Sequence, residues 1–144
     1  MAKAAILGFG TVGSGVYEIL RDKNFTLSAG EDIEVKYILD IRDFDDAEVK
    51  KYLVNDFEII ANDKEVKVVA EVMGGLHPAY EFTKRLLENG VSVVTSNKEL
   101  VATYGAELLE IAKENDSSYM FEASVGGGIP VIRPMGICTK ANDI

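Results

Sequence analysis

The chain has 144 residues, the length of a single domain, and its 47% hydrophobic and 27% charged residues are typical of an ordinary globular protein. Its formal net charge of -9 excludes the broad basic surface that a nucleic-acid backbone requires, so we expect no nucleic-acid partner. The chain contains one cysteine, Cys138, which excludes an internal disulfide and fits a reducing cytoplasm. With only one histidine, His77, a metal site of several Cys and His ligands is excluded as well.

The predicted elements begin with a strand, a tight turn and a helix. The apolar run from Ala4 to Leu7 predicts the strand, which stops at Gly8. Apolar residues then recur at helical spacing, at Val12, Val16, Ile19 and Leu20. The apolar stretch near the N-terminus is too short for a signal-peptide core or a membrane span, so we expect a cytoplasmic protein without a membrane partner.

Two further strands and two helices are predicted in the middle of the chain. Residues 33–39 predict a strand, and the acidic, weakly periodic stretch after it predicts a loop with a short helix. Residues 66–72 predict another strand, which ends before a pair of glycines. The helix after it is predicted to carry Pro78 in its first turn and to stop before Gly90.

The last third of the chain predicts a strand, a helix and a strand. Residues 91–95 predict the first strand, and Ser96 and Glu99 are spaced like a capping box at the start of a helix that continues to about residue 115. Residues 118–122 predict the last strand. Strands that alternate with helices indicate right-handed crossovers, and therefore an α/β domain with a Rossmann-type doubly wound parallel sheet and helices on both faces.

A glycine-rich turn lies between the first strand and the first helix, where the pattern G-x-G-x-x-G has a mechanical meaning. Gly8 would permit the tight turn, Gly10 would let the backbone approach a pyrophosphate, and Gly13 would bring the helix close to the strand. The helix N-terminus would then face the phosphates of NAD or NADP. The alternative is a sharp connection that binds nothing.

Asp40 and Arg42, which follow the second strand, favour different cofactors. Asp40 can accept hydrogen bonds from the adenosine ribose hydroxyls, which favours NAD. Arg42 can pair with the 2′-phosphate of NADP if the chain stays extended. Asp40 can also be a solvated turn residue. The sequence leaves the preference open.

Lys98 is unusual for its position. With Ser96 as the N-cap, this lysine lies in the first helical turn, where the macrodipole disfavours a cation. A cation beside a bound substrate or nicotinamide could hold or protonate a carbonyl oxygen. The alternative is an exposed lysine without a role.

Four segments together resemble the homoserine dehydrogenase family, and the last two are the more specific. The segments are Gly8-Phe9-Gly10-Thr11-Val12-Gly13, Glu71-Val72-Met73-Gly74-Gly75 with Pro78-Ala79, Val93-Val94-Thr95-Ser96-Asn97-Lys98, and Glu122-Ala123-Ser124-Val125-Gly126-Gly127-Gly128-Ile129-Pro130. The resemblance implies an enzyme that reversibly reduces aspartate 4-semialdehyde to homoserine with NADPH or NADH, in the biosynthesis of threonine, methionine and isoleucine.

The resemblance also implies roles for individual residues. Arg42 corresponds to a basic residue at the adenosine end, and Lys98 to the lysine beside the nicotinamide and the substrate. Residues of the other matching segments are assigned to the cofactor: Phe9, Gly10, Thr11, Val12 and Gly13 at the pyrophosphate, with Gly8, Gly74 and Ser96 nearby.

A structural sodium ion is the third implication. The family binds it largely through backbone carbonyls, at positions that correspond to Glu122, Val125, Gly127 and Ile129. Oxygen ligands suit a hard cation, and glycines ease the turns that aim carbonyls inward. The alternative is a glycine hinge without a metal.

In the family, a larger domain follows that binds the substrate, supplies a second lysine and acidic residues, and makes the dimer contacts. We therefore expect a dinucleotide-binding domain over 1–125 and a glycine-rich hinge with the start of that larger domain over 126–144. We expect a homodimer only when the larger domain is present.

The resemblance also implies that the main proton donor lies beyond Ile144, in that larger domain. This piece alone should therefore bind cofactor and lack catalysis, because the groups that orient the aldehyde against the nicotinamide lie elsewhere. Two alternatives stay open: a free-standing dinucleotide-binding module, and a related dehydrogenase acting on another small molecule.

Overall fold

A computed structural model describes residues 2–22 and 32–138. Its strands all belong to one sheet, and its helices connect them. The strands are β1 (Ala2–Leu7), β2 (Ile33–Leu39), β3 (Leu53–Val54), β4 (Val66–Glu71), β5 (Ser92–Thr95) and β6 (Tyr119–Met120). The helices are α1 (Thr11–Arg21), α2 (Ala47–Lys50), α3 (Phe57–Ala61), α4 (Ala79–Glu88), α5 (Lys98–Glu114), α6 (Glu122–Val125) and α7 (Ile132–Cys138).

The sheet is parallel throughout and has the strand order β3-β2-β1-β4-β5-β6. Consecutive strands run outward from β1 to β3, and the chain then returns to place β4 beside β1. The order therefore reverses between β1 and β4, as in doubly wound nucleotide-binding sheets. The predicted fold class is confirmed.

Helices cover both faces of the sheet, which explains why the central strand is a continuous apolar run. Alternate residues of β1 enter different clusters: Ala5 and Leu7 pack in the cluster that contains Leu86 and Leu108, and Ile6 packs on the opposite face. The second cluster includes Tyr17, Val35, Ile38 and Val49. Burial on two faces thus fixes which residues of β1 face which helices.

Several predicted boundaries need correction. The capping box at Ser96 is wrong, because Asn97 is the N-cap of α5 and its side chain accepts a hydrogen bond from the Leu100 amide. The last strand covers two residues instead of 118–122, and Glu122 is the first residue of α6. Its carboxylate accepts backbone N–H groups at the start of α7. Pro78 is the N-cap of α4 and precedes its first turn.

The apolar face of α1 matches the prediction in part, because Val16 and Leu20 pack against the second cluster. Val12 and Ile19 are about half exposed, at 52% and 49%, whereas Gly13 and Tyr17 are buried. Helical periodicity allowed either face, and the close approach of Gly13 to the Gly8 carbonyl selects one.

Two short elements, β3 and α3, were not predicted. They lie between β4 and the acidic stretch after β2, and in that stretch α2 confirms the predicted short helix. A two-residue strand and a five-residue helix are too short to show periodicity. The signal for α3 was its cap Asp56, whose carboxylate accepts the Glu58 amide.

In the part of the chain that the structure describes, no helix combines the length and the apolar character needed to cross a bilayer.

The segment predicted over 126–144 is described as far as residue 138, where α7 ends. Residues 139–144, and with them Ile144, lie outside the described part. The larger domain and its main proton donor, which the family resemblance implies beyond Ile144, therefore stay a prediction.

Candidate functional site

The candidate site lies at the carboxyl edge of the sheet, where four strands end in one row. The sheet register pairs Leu7 with Leu39 on one side and with Glu71 on the other, and Glu71 with Thr95. The residues that follow these strands therefore meet at one edge. In doubly wound sheets this edge, at the reversal of strand order, is where ligands bind.

The glycine turn is tightly packed at its ends. Gly8 has a φ of +94°, and a Cβ there would lie 3.0 Å from the Met73 Cα. A Cβ on Gly13 would lie 2.0 Å from the carbonyl oxygen of Gly8, so the start of α1 packs against the turn itself. Both positions therefore require glycine, one for its conformation and the other for its small size.

Gly10 is the open position of the turn. Gly10 is the N-cap residue of α1, and it has no side chain that could hydrogen-bond the first amides of the helix. A Cβ added to it would meet nothing within 4 Å. The first amides of a helix are unsatisfied within the helix, and the macrodipole places positive partial charge there. An uncapped helix end facing open space fits the pyrophosphate of a dinucleotide.

Asp40 and Arg42, which suggest opposite cofactors in the sequence, form one ion pair. The Asp40 side chain is 6% exposed, and its Oδ2 accepts the Phe9 amide at 2.7 Å and Arg42 Nη2 at 2.8 Å. Its Oδ1 accepts the Arg42 amide at 2.9 Å and Arg42 Nε at 3.0 Å. The alternative of a solvated turn residue is wrong, because Asp40 ties the glycine turn to the end of β2.

The pKa of Asp40 falls to about 2, mainly because the Arg42 side chain hydrogen-bonds its carboxylate. Burial opposes this shift, and the amides of Arg42 and Phe9 reinforce it. Asp40 is therefore a fixed negative charge at neutral pH. The Arg42 side chain is 58% exposed and its guanidinium also lies 5.3 Å from the centre of the Phe44 ring.

A cleft of about 530 Å³ opens beside this pair. Its floor is apolar, since Phe57 and Phe82 stack with their ring centres 3.9 Å apart and 7° between their planes. No pattern in the sequence indicates this cleft, because its walls come from separate elements. They are Gly8, Gly10, Leu39, Asp40, Ile41, Arg42, Asn55, Phe57, Val72, Met73, Pro78 and Phe82. The volume and the apolar lining suit a small organic group.

The other predicted cofactor residues lie on the β4 and β5 side. Gly74 has a φ of +80° and lies in the loop after β4. Ser96 follows β5, and its amide donates to the Glu71 carbonyl at 3.3 Å. Lys98 is exposed and is the first residue of α5, so its predicted place in the first helical turn is confirmed. The structure thus distributes the predicted residues along one sheet edge, on both sides of the reversal.

The predicted sodium ligands lie in and after α6, away from the glycine turn in sequence. The Glu122 carboxylate accepts the amides of Val131, Ile132 (2.8 Å) and Arg133 (3.0 Å), so its oxygens face donors instead of a cation. Within residues 2–22 and 32–138, no group of three or more metal-ligating side chains is found. The Glu122 side chain does not fit a cation ligand here, and the backbone site stays a prediction.

Comparison with known proteins agrees with this geometry. Residues 8–122 match the family model described as the NAD-binding domain of homoserine dehydrogenase. The chain is 38% identical to the homoserine dehydrogenase of Synechocystis, over 92% of this chain and 31% of that protein. It is 40% identical to that of Bacillus subtilis, over 92% of this chain and 32% of that protein.

Solved structures give the same result. A homoserine dehydrogenase from Thiobacillus denitrificans superposes with a TM-score of 0.87 at 37% identity, covering 98% of this chain and 34% of that chain. A hyperthermophilic archaeal homoserine dehydrogenase in complex with NADPH superposes with a TM-score of 0.70 at 33% identity, covering 85% and 44%. The chain spans about a third of the length of the curated relatives it matches. It belongs to the homoserine dehydrogenase family and corresponds to the NAD-binding domain.

Proposed function

We propose that this chain is the cofactor-binding part of a homoserine dehydrogenase, which transfers hydride between NAD(P)H and aspartate 4-semialdehyde. The observation that carries the proposal is the open, uncapped start of α1 at Gly10, beside a buried Asp40, at the reversal of the strand order. Family membership supports the same assignment.

In this proposal, the two halves of the dinucleotide lie on opposite sides of the point between β1 and β4 where the strand order reverses. The pyrophosphate lies on the amides at the start of α1, and the adenosine lies on the β2 side, in the cleft over Phe57 and Phe82. The nicotinamide half lies on the β4 and β5 side, near Gly74 and Lys98. When bound, the cofactor supplies the hydride. Lys98 holds the carbonyl oxygen of the aldehyde through its ammonium group.

The proposal extends to the metabolic pathway of the enzyme and to its assembly. We propose a cytoplasmic enzyme in the biosynthesis of threonine, methionine and isoleucine, with the main proton donor and the homodimer contacts in a domain outside this chain. The support is the family's reaction together with the share of the relatives' length that this chain covers. Reduction of NAD or NADP that depends on homoserine, measured on a full-length protein containing this chain, tests the activity.

The first prediction concerns binding by this chain. Calorimetric titration should show micromolar or weaker binding of NAD or NADP. Gly10→Val should abolish it, because the side chain would fill the space beside the helix start. Lys98→Ala should largely retain it, because the exposed lysine lies on the substrate side.

Gly15→Val is the matched control, since a Cβ at Gly15 also meets open space but lies further along α1. It should retain binding. Equal loss of binding in the Gly10 and Gly15 variants would contradict the role of Gly10, and no heat with either cofactor would overturn the proposal.

The second prediction concerns cofactor preference, and we propose NAD. The Asp40 oxygens each accept two N–H groups, so a ribose hydroxyl binds them by replacing the Arg42 guanidinium as donor. The 2′-phosphate of NADP offers no such donor and would leave a buried carboxylate beside a second negative charge. Binding of NADP is therefore penalised.

Asp40→Asn should remove this discrimination. We expect the ratio of NAD affinity to NADP affinity to fall about tenfold, because a charge-assisted hydrogen bond is lost and the repulsion is relieved. Titration of both cofactors measures the ratio. The exposed Asp45→Asn is the control and should leave it unchanged. A ratio that is unchanged in Asp40→Asn would contradict the assignment.

A further inference from the structure

A buried carboxylate lies at the end of β4 without a cationic partner among the described residues. Glu71 is fully buried, with 0% exposure. Its Oε1 accepts the Met73 amide at 2.9 Å, and its Oε2 accepts the Thr95 hydroxyl at 2.6 Å. Burying a carboxylate costs free energy unless its oxygens accept hydrogen bonds, so a buried carboxylate indicates a structural or functional role.

The Thr95 hydroxyl extends this contact to the start of α5. It accepts the Asn97 amide at 2.9 Å, so its own proton is directed to Glu71. The Asn97 side chain in turn accepts the Leu100 amide at 3.1 Å and donates to the Gly75 carbonyl at 2.6 Å. The end of β4 with its following loop is therefore joined to the end of β5 with its following turn by two side-chain contacts, Glu71 with Thr95 and Asn97 with Gly75.

These two segments carry the predicted cofactor and substrate residues of the β4 and β5 side. The first contains Gly74 and Gly75, with φ of +80° and +73°, and the second contains Ser96 and Lys98. Glu71 and Thr95 are direct neighbours in the sheet register, so the backbone of both strands places their side chains within contact of each other. A satisfied buried network holds both backbone segments in one arrangement.

We infer that Glu71, Thr95 and Asn97 form a positioning network for the nicotinamide half of the cofactor. They act through the Gly74–Gly75 loop and the Ser96–Lys98 turn, and Glu71 itself does not touch the ligand. This inference rests on the proposed function. It implies that loosening the network weakens contacts at the Gly74–Gly75 loop and the Ser96–Lys98 turn and leaves those at Gly10 and Asp40 intact, because Asp40 is held by Phe9 and Arg42 instead of by the network.

Two ligands separate the two sides. NADH contains both halves of the dinucleotide, and ADP-ribose contains the adenosine and the pyrophosphate without the nicotinamide. Thr95→Val keeps the shape of the side chain and removes the hydroxyl. We expect it to weaken NADH binding by about fivefold to tenfold, the effect of one or two lost hydrogen bonds, and to change ADP-ribose binding less than about twofold. The emission spectrum of bound NADH should also change.

Conservative variants provide the controls. Thr95→Ser keeps the hydroxyl and should restore NADH binding to within about twofold of the unchanged chain. Glu71→Gln should also weaken NADH binding, because its amide oxygen can accept from only one of Thr95 and Met73 and its NH2 group then faces the other donor. Should Thr95→Val fail to fold, Asn97→Asp makes the same test, since aspartate keeps the helix cap but cannot donate to Gly75.

The outcomes are distinct. Selective loss of NADH affinity with rescue by Thr95→Ser supports the positioning role. Equal loss for both ligands, or no loss for either, overturns it, because the network then serves stability alone or has no effect on the site. If the unchanged chain binds neither NADH nor ADP-ribose, the proposed function itself fails and the inference fails with it.

Discussion

At the scale of single residues, Gly13 and Gly15 lie two positions apart in α1 but have opposite surroundings. A Cβ on Gly13 would lie 2.0 Å from the backbone oxygen of Gly8, a contact that only movement of the chain could relieve. A Cβ on Gly15 would meet nothing within 4 Å. The first glycine is therefore required by packing, and the second is tolerated at the cost of helix propensity.

Alanine at these two positions should thus have effects of opposite sign. Gly13→Ala should lower the free energy of unfolding by about 1–3 kcal/mol through overpacking. Gly15→Ala should raise it by about 0.5–1 kcal/mol, because alanine loses less backbone entropy on folding. Urea denaturation of both variants measures the difference. Two changes of the same sign would contradict this assignment.

The sequence indicates that Asp40 and Arg42 are relevant to the cofactor but not how they relate to each other. The Asp40 carboxylate also accepts the Phe9 amide, which lies 31 positions away in the sequence. Local patterns contain no information on such a contact. The same holds for Phe57 and Phe82, whose stacking creates the apolar part of the cleft.

At the scale of elements, the start of α5 shows why local signals can mislead. Ser96 and Asn97 are both good N-cap residue types, and the sequence favoured Ser96 because Glu99 stands three positions later. In the structure, the Ser96 amide instead continues the sheet by donating to the Glu71 carbonyl. The helix therefore begins one residue later than predicted, with Asn97 as its cap.

Alanine substitutions at both positions test this boundary. Asn97→Ala should lower the free energy of unfolding by about 1–2 kcal/mol, since it removes the cap and the buried contact with the Gly75 carbonyl. Ser96→Ala should change it by less than about 0.5 kcal/mol. Thermal unfolding followed by circular dichroism gives both values. A larger loss at Ser96 than at Asn97 would restore the predicted capping box.

At the scale of the whole molecule, one buried aspartate and one partly buried aspartate connect stability to pH. Asp40 has a pKa of about 2, chiefly because of Arg42. Asp63 has a pKa of about 2, chiefly because the Lys36 ammonium lies 2.5 Å from its Oδ2. Each has an ordinary pKa of 3.8 in the absence of these partners. Both carboxylates are therefore favoured in their charged form by folding.

The chain should lose stability in acid as these groups are protonated. Between about pH 4 and about pH 2 the unfolded chain binds more protons than the folded chain, so the free energy of unfolding falls as the pH falls through this range. Urea midpoints across this range measure the slope. Asp40→Asn should reduce the slope, whereas a slope equal to that of the unchanged chain would show that Asp40 does not contribute.

The sequence by itself determined the order of the main strands and helices, the parallel sheet, the glycine turn and the family. These features depend on residues that are close together in the chain, such as apolar runs, helical spacing and glycines at fixed intervals. The turn and strand ends that carry the cofactor proposal were therefore predictable.

Only the tertiary structure decided how those segments meet. Asp40 with the Phe9 amide and Glu71 with Thr95 are separated by 31 and 24 positions in the sequence. They meet because the sheet register places the ends of β1, β2, β4 and β5 in one row. Register is set by the packing of many side chains on two faces at once, and no local pattern contains that information.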